Sequence, residues 1–306
     1  MSRKGHFWNQ ASPARGTCDM LRGILFAICT GLCWTCIGIV LSCCAGRKLS
    51  IVPYSFLQTF LTGAAAFLLI DFRQFTSADL CILTGFVFTA GLLNSTGQYT
   101  VHLAMKCGNH APVWAISQSA LIFPFLAGIV FFHNKGSLGQ WIGTVLIIVG
   151  ILTPSAKDIR STSKCFLIAL TAFFVFGGTQ VLYGLPTQLY RFSDAAGARP
   201  LAAAWGGAAG WLLIAGCSRT SLRFDRRILL IAGIMVLVQL AALRLFFVSL
   251  DALAAVNCEN IAFPLMTGAN IFCFAVYSVF IRREKTSLMD KIGFFMVIAG
   301  LLFIAL

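Results

Sequence analysis

Lys135-Gly136-Ser137-Leu138, with Ile142-Gly143 and Gly150 behind it, returns 150 residues later as Lys285-Thr286-Ser287-Leu288, Ile292-Gly293 and Gly300. Both stretches read Lys-x-Ser-Leu-x3-Ile-Gly-x6-Gly without a gap, and Leu103-Ala104 meets Leu253-Ala254 at the same offset. The openings of the two copies align at an offset of 142, with Gly23-Ile24-Leu25-Phe26 on Cys165-Phe166-Leu167-Ile168 and Trp34 on Phe176. The chain therefore reads as one unit written twice. The paired glycines are seven apart, so on a helix they share one face and permit close backbone approach to a neighbour.

The surroundings of the repeat decide the solvent. Of 306 residues, 58% are hydrophobic and only 11% charged, and the mean hydropathy is +0.87. A soluble domain carries about 25% charged residues, which excludes that class, and disorder needs the opposite balance. One span takes about 20 apolar residues. The apolar runs fall at 21–44, 52–70, 78–104, 111–132, 137–153, 165–187, 200–217, 228–250, 255–281 and 287–305. They are continuous rather than alternating, so they are helices. The first is too long for a signal-peptide core and lacks a small-residue cleavage site. The expected fold is all-α and integral to the membrane, with ten transmembrane helices in two five-helix repeats: a polar tail at 1–20, then 21–154 and 155–306. Five is odd, so the second copy enters from the opposite side, the inverted-repeat architecture of many secondary transporters.

The net charge of +13 sits between the apolar runs, as in Arg47-Lys48, Arg219 to Arg227 and Arg282 to Lys285. Such clusters orient spans and meet lipid headgroups, and they do not form a nucleic-acid surface. Eight Lys and Arg fall on the side of the N-terminus and 14 on the other, which favours external termini, whereas the basic N-terminal tail favours internal ones. The sequence leaves the orientation open. The 12 cysteines lie largely within spans and read as small apolar fillers. Cys33-x-x-Cys36 has no second pair nearby, so neither a metal nor a cofactor is expected.

The segment Phe280-Ile-Arg-Arg-Glu284-Lys-Thr-Ser-Leu288, followed by Ile292-Gly293 and Ala299-Gly300-Leu-Leu, resembles the Gly-Glu ending of the drug/metabolite transporter superfamily in its ten-span, EamA-like form. Two positions depart: Arg283 stands where Gly is usual, and Asn134 where the first copy would carry the acid. The resemblance implies a permease with a central cavity lined by the first four helices of each repeat, the fifth being peripheral. It also implies a small metabolite as substrate without naming it.

Polar side chains at membrane depth are the candidates for that cavity. Asn94, Gln98 and His102 share one face of span three, Tyr54, Gln58 and Thr62 one face of span two, and His110, Trp114 and Gln118 one face of span four. In span six Thr179 and Tyr183 are aligned, with Gln180 beside them, and Trp34 supplies a further wall. Arg244 lies inside the apolar run of span eight, at the position equivalent to Asn94. It suits an anionic group of the substrate; otherwise it snorkels to the interface or pairs with Glu259 or Asp251. Glu259 and His102 are the candidate proton carriers, Asp251 reads as a turn residue, and Pro124 and Pro264 are candidate hinges inside spans four and nine. No G-x-x-x-x-G-K-[ST] is present, so a gradient or exchange would drive transport. The expected function is a multi-pass secondary transporter of the cell (inner) membrane. It would move a small polar, anionic metabolite by alternating access, contacting membrane lipids and coupling to protons. A membrane-embedded lipid-processing enzyme is the alternative, but the ten acids are scattered rather than gathered at one interface. A non-transporting membrane subunit is the third reading.

Overall fold

Apolar segments in lipid must satisfy their own backbone hydrogen bonds, and a helix does so within one segment. A computed structural model describes residues 13–70, 82–132, 137–158, 163–190, 198–256, 261–284 and 287–305; among them every regular element is helical. α1 runs Pro13–Gly46 and α2 Val52–Leu68. α3 opens as a π-helix at Leu83–Phe88 and continues over Thr89–Cys107. α4 joins His110–Gln118, a 3-10 turn at Ser119–Leu121 and Ile122–Phe132. α5 is Leu138–Asp158, α6 Ser163–Tyr190, α7 Ala198–Ser218 and α8 Arg226–Ala254. α9 spans Ala262–Val276 and ends in a π turn at Tyr277–Ile281, and α10 is Leu288–Ala305. Among the described residues, six helices (α1, α4, α6, α7, α8 and α9) carry stretches long and apolar enough to cross a membrane. The chain is an integral, multi-pass membrane protein. α3, which carries the polar stripe of Asn94, Gln98 and His102, is less apolar than those six.

Pro264 lies within the apolar stretch Ala262–Ile281, in the first turn of α9, where its missing N–H removes no bond of the helix. Pro124 does sit within α4, and the irregularity falls just before it, at Ser119–Leu121. Proline cannot bond the carbonyl four residues back and its ring crowds that group, so the preceding turn tightens. Asp251 is helical rather than a turn residue, because α8 runs on to Ala254. Glu259 lies outside the described residues.

The helices pack in matched pairs. α1 lies along α8 and α9, and α6 lies in the same way along α3 and α4; α2 packs on α7, and α5 on α10. Glycine sets the closest approach. A Cβ on Gly150 would stand 2.7 Å from the Gly293 carbonyl oxygen, and one on Gly300 would stand 2.6 Å from that of Gly143. Each of these contacts maps onto the other at the 150-residue offset, and they require α5 and α10 to run antiparallel. The α3–α7 contact uses the same device at Gly91 and Gly206, whose Cβ positions fall 2.2 Å from the Ala203 and 2.0 Å from the Phe88 carbonyl oxygens. Backbone contact of this kind is how helices associate where lipid gives no hydrophobic drive.

The outer surface is apolar: Leu229, Leu230, Ile234 and Leu237 of α8, Leu21, Leu25 and Leu32 of α1, and Phe295 of α10 are all exposed. Cys29 and Cys36 share that outward surface on α1. Gly150→Leu or Gly300→Leu should lower the melting temperature in detergent, with about 1–3 kcal/mol lost to overpacking. Gly233→Leu, with nothing within 4 Å of its Cβ position, should leave the melting temperature unchanged or raised. Equal melting temperatures for all three would contradict the glycine-mediated contact.

Candidate functional site

A cavity of about 70 Å³ lies between the two halves. Trp34 and Ile37 of α1, Asn94 and Gln98 of α3, and Trp114 and Gln118 of α4 form one wall. Phe176, Thr179, Gln180 and Tyr183 of α6, Gln239, Leu243 and Phe246 of α8, and Asn270 of α9 form the other. The contributing helices are α1, α3 and α4 together with their counterparts α6, α8 and α9. α2 and α7 stay behind them, although the resemblance implied four lining helices per half; Gln58 of α2 reaches in only by donating from Nε2 to Gln239 Oε1 at 3.5 Å.

Asn270 organises the polar part. It is fully buried, and its Oδ1 accepts from Trp114 Nε1 at 3.2 Å and from Thr35 Oγ1 at 3.2 Å. Its Nδ2 donates to Gln118 Oε1 at 3.2 Å. The indole N–H can only donate, so the atom it meets must be the amide oxygen. That fixes the Asn270 amide, and through it Gln118 turns its own NH2 away from Asn270 as a donor. Trp114 reaches its place because Gly38 has no side chain: a Cβ there would be 2.8 Å from the indole. Gly97 plays the same part for Phe176, at 2.7 Å. Aromatic rings close the walls, with Trp34 5.5 Å and Tyr183 5.7 Å from Phe246 between centroids.

Two polar clusters lie at the opposite ends of the bundle. At the end where α1 finishes, Arg282 donates from Nε to Glu284 Oε1 at 2.9 Å, from Nη1 to Ser42 Oγ at 3.2 Å, and from Nη2 to His110 Nε2 at 3.2 Å. Guanidinium has no acceptor, so His110 Nε2 carries the lone pair, and the proton on Nδ1 is donated to Ser42 Oγ at 2.7 Å. Glu284 then accepts from the backbone N–H groups of His110 and Ala111 at 3.3 and 3.2 Å, capping α4 from the segment that follows α9. Arg283 before it has φ +56°, the left-handed region that glycine occupies at no steric cost. This is the physical reason for the Gly usual at that position. At the other end Arg199, fully buried, pairs with Asp251, donates to Thr187 Oγ1 at 2.9 Å, and stacks 4.6 Å over the Phe247 ring.

Of the sequence-derived candidates, Asn94, Gln98, Gln118, Trp34, Trp114, Tyr183 and Gln180 come together in the cavity. Arg244 and His102 do not line it. Arg244 is half-buried at the edge of the outward face of α8, with exposed Leu237 and Ala241 seven and three residues before it. The acid weighed as its partner, Asp251, is taken by Arg199 instead. His102 is buried near the end of α3, its Nε2 bonded to the Leu49 carbonyl at 3.1 Å, and so ties the α1–α2 connection. The sequence reading missed Arg199, Phe176, Gln239 and Asn270. Arg199 and Asp251 both fall just outside the apolar runs, before 200–217 and after 228–250, so nothing in the sequence marked a buried pair. A larger space of about 340 Å³ between α4, α9 and α10 is apolar and belongs to the outer surface, not to this constellation.

Comparison with known proteins bears on this geometry. Residues 21–155 match the EamA-like transporter family. Over those residues the chain is similar to a family of membrane transporters, consistent with the drug/metabolite transporter superfamily. A solved crystal structure superposes with a TM-score of 0.60 at 12% identity, covering 92% of this chain and 95% of its own, which is a likeness of fold. No curated protein sequence matches significantly.

Asp251→Ala should destabilise the protein by about 3 kcal/mol, because the buried Arg199 guanidinium loses the carboxylate it is paired with. Arg199→Met with Asp251→Leu should recover most of that loss; a double variant no better than the single would contradict the pairing. Arg283→Gly should raise stability by about 1 kcal/mol by removing the left-handed penalty, read as a higher melting temperature.

Proposed function

We propose that the chain is a secondary transporter of a small polar metabolite in the cell membrane, built of ten spanning helices as two inverted five-helix repeats. The observation that carries this reading is the central cavity: its polar and aromatic side chains come in equal helix pairs from the two halves. A site at the interface of inverted repeats is reached from either side when one half rocks against the other. The reciprocal contacts of Gly150 with Gly293 and of Gly300 with Gly143 support the two-fold relation. The family match over residues 21–155 supports the transporter class.

In this mechanism the solute binds among the amides of Asn94, Gln98, Gln118 and Gln180 and is enclosed by Trp34, Trp114 and Tyr183. The cluster of Ser42, His110, Arg282 and Glu284 joins α1 and α4 of the first half to the exit of α9 in the second. It must part whenever the cavity opens at that end. The 3-10 turn ahead of Pro124 gives α4 a place to bend beside Gln118. Glu259 is the candidate for carrying a coupling proton, since His102 is engaged by the Leu49 carbonyl and stands apart from the cavity.

Two experiments test the reading. In a cysteine-free background, Leu69→Cys and Arg219→Cys, at the ends of α2 and α7, should react with an impermeant thiol reagent from opposite faces of the membrane; labelling from one face sinks the inverted repeat. Proteoliposomes loaded with an isotopically labelled metabolite extract should exchange part of the label. Gln118→Leu and Asn94→Leu should slow that exchange at least about tenfold, the effect of roughly 1.4 kcal/mol. Exchange at the protein-free rate would remove the transport function.

A further inference from the structure

We infer that the transported solute is uncharged and planar, with hydrogen-bond donors and acceptors around its rim, in the manner of a nucleobase. This rests on the transport reading above and names the substrate class of the same site. Among the described residues no Asp, Glu, Lys, Arg or His lines the cavity. An ion brought into such a place leaves its water for a site without a counter-charge, which opposes binding of anions and cations alike. Arg244, the one cation that the sequence offered for an anion, is not in the lining.

What the lining does offer is amide chemistry. Gln180 is buried, and its Oε1 has no hydrogen-bond partner, so it presents an acceptor to the cavity it lines. Gln118 presents its NH2 as a donor, because its Oε1 is held by Asn270 Nδ2. Gln239 is oriented alike, its Oε1 held by Gln58 Nε2. Asn94 and Gln98 line the same space, and each supplies a donor and an acceptor from one side chain. Donors and acceptors offered side by side in one small space suit a flat heterocycle whose edge carries both C=O and N–H groups. A ring edge of that kind satisfies the Gln180 oxygen, which water-excluding walls otherwise leave unpaired.

The walls select for flatness. Trp34, Trp114, Phe176, Tyr183 and Phe246 surround the amides, and aromatic faces stack on planar rings of any base. The space of about 70 Å³ admits only a few waters in this conformation. The aromatic side chains therefore have to part around the ring, and the closure of a bound solute is made by the same side chains that stack on it.

The test uses the full-length protein in lipid nanodiscs with radiolabelled uracil and adenine, and with glutamate, glucose 6-phosphate, choline and glucose as comparison probes. One of the two bases should bind saturably and the comparison probes should not. Gln180→Leu should weaken that binding at least tenfold, and Arg244→Gln should change it less than twofold. Gln98→Leu serves as a second variant if Gln180→Leu does not fold. Binding confined to glutamate or glucose 6-phosphate, particularly if lost in Arg244→Gln, overturns the inference, as does binding confined to choline or glucose, or no binding of either base. Flux in proteoliposomes separates the two levels. A base that binds but never crosses refutes transport and keeps the site chemistry; a charged solute that crosses while neither base binds refutes the site chemistry and keeps transport.

Discussion

The buried amide of Asn270 is the contact on which the centre of the molecule depends. It accepts from α1 through Thr35 and from α4 through Trp114, and it donates to Gln118 of α4. Three helices from two halves of the chain are thus aligned by one side chain with no access to solvent. In a medium without water, each of those groups would otherwise remain unpaired. The orientation of Gln118, the seat of the Trp114 indole and the parallel course of α1 beside α9 are set together rather than one by one. The close α1–α9 approach is made possible by Gly31, whose Cβ would fall 2.2 Å from the Met266 carbonyl oxygen.

Around that centre the packing is carried by backbone. The pairs α5–α10 and α3–α7 meet where glycine removes the side chain, and α2 meets α7 where Trp205 lies over Gly63. Among the described residues, ion pairs lie at the two ends of the bundle, and the cavity is lined by neutral groups alone. This division follows from the cost of an unpaired ion in a low-dielectric interior, set against the small cost of an amide that finds a partner.

Much of this was readable in the chain itself. The glycines at seven-residue spacing pointed to close backbone approach to some neighbour, because that depends on local residue size alone; that α5 and α10 meet each other came from the structure. The polar stripes of α3, α4 and α6 led to seven cavity residues for a related reason: helical periodicity puts residues four apart on one face. Arg244 shows the limit. An offset of 150 pairs it with Asn94, but the face that α8 turns inward carries Leu243 and Phe246, and one residue of helical rotation places the guanidinium at the edge of the outward face. Arg199 shows another limit. It stands before Pro200 at the start of α7, and only the tertiary fold brings Asp251 to it from 52 residues away.

The unlike ties at the two ends have a mechanical consequence. The cluster of Ser42, His110, Arg282 and Glu284 crosses between the halves, whereas Thr187, Arg199 and Asp251 all belong to the second. In the proposed cycle, in which one half tilts against the other, the first cluster has to shear, while the second braces α6, α7 and α8 against one another. The rim that carries Ser42, His110, Arg282 and Glu284 then acts as a catch between strokes, and the stroke that opens it must first break those bonds.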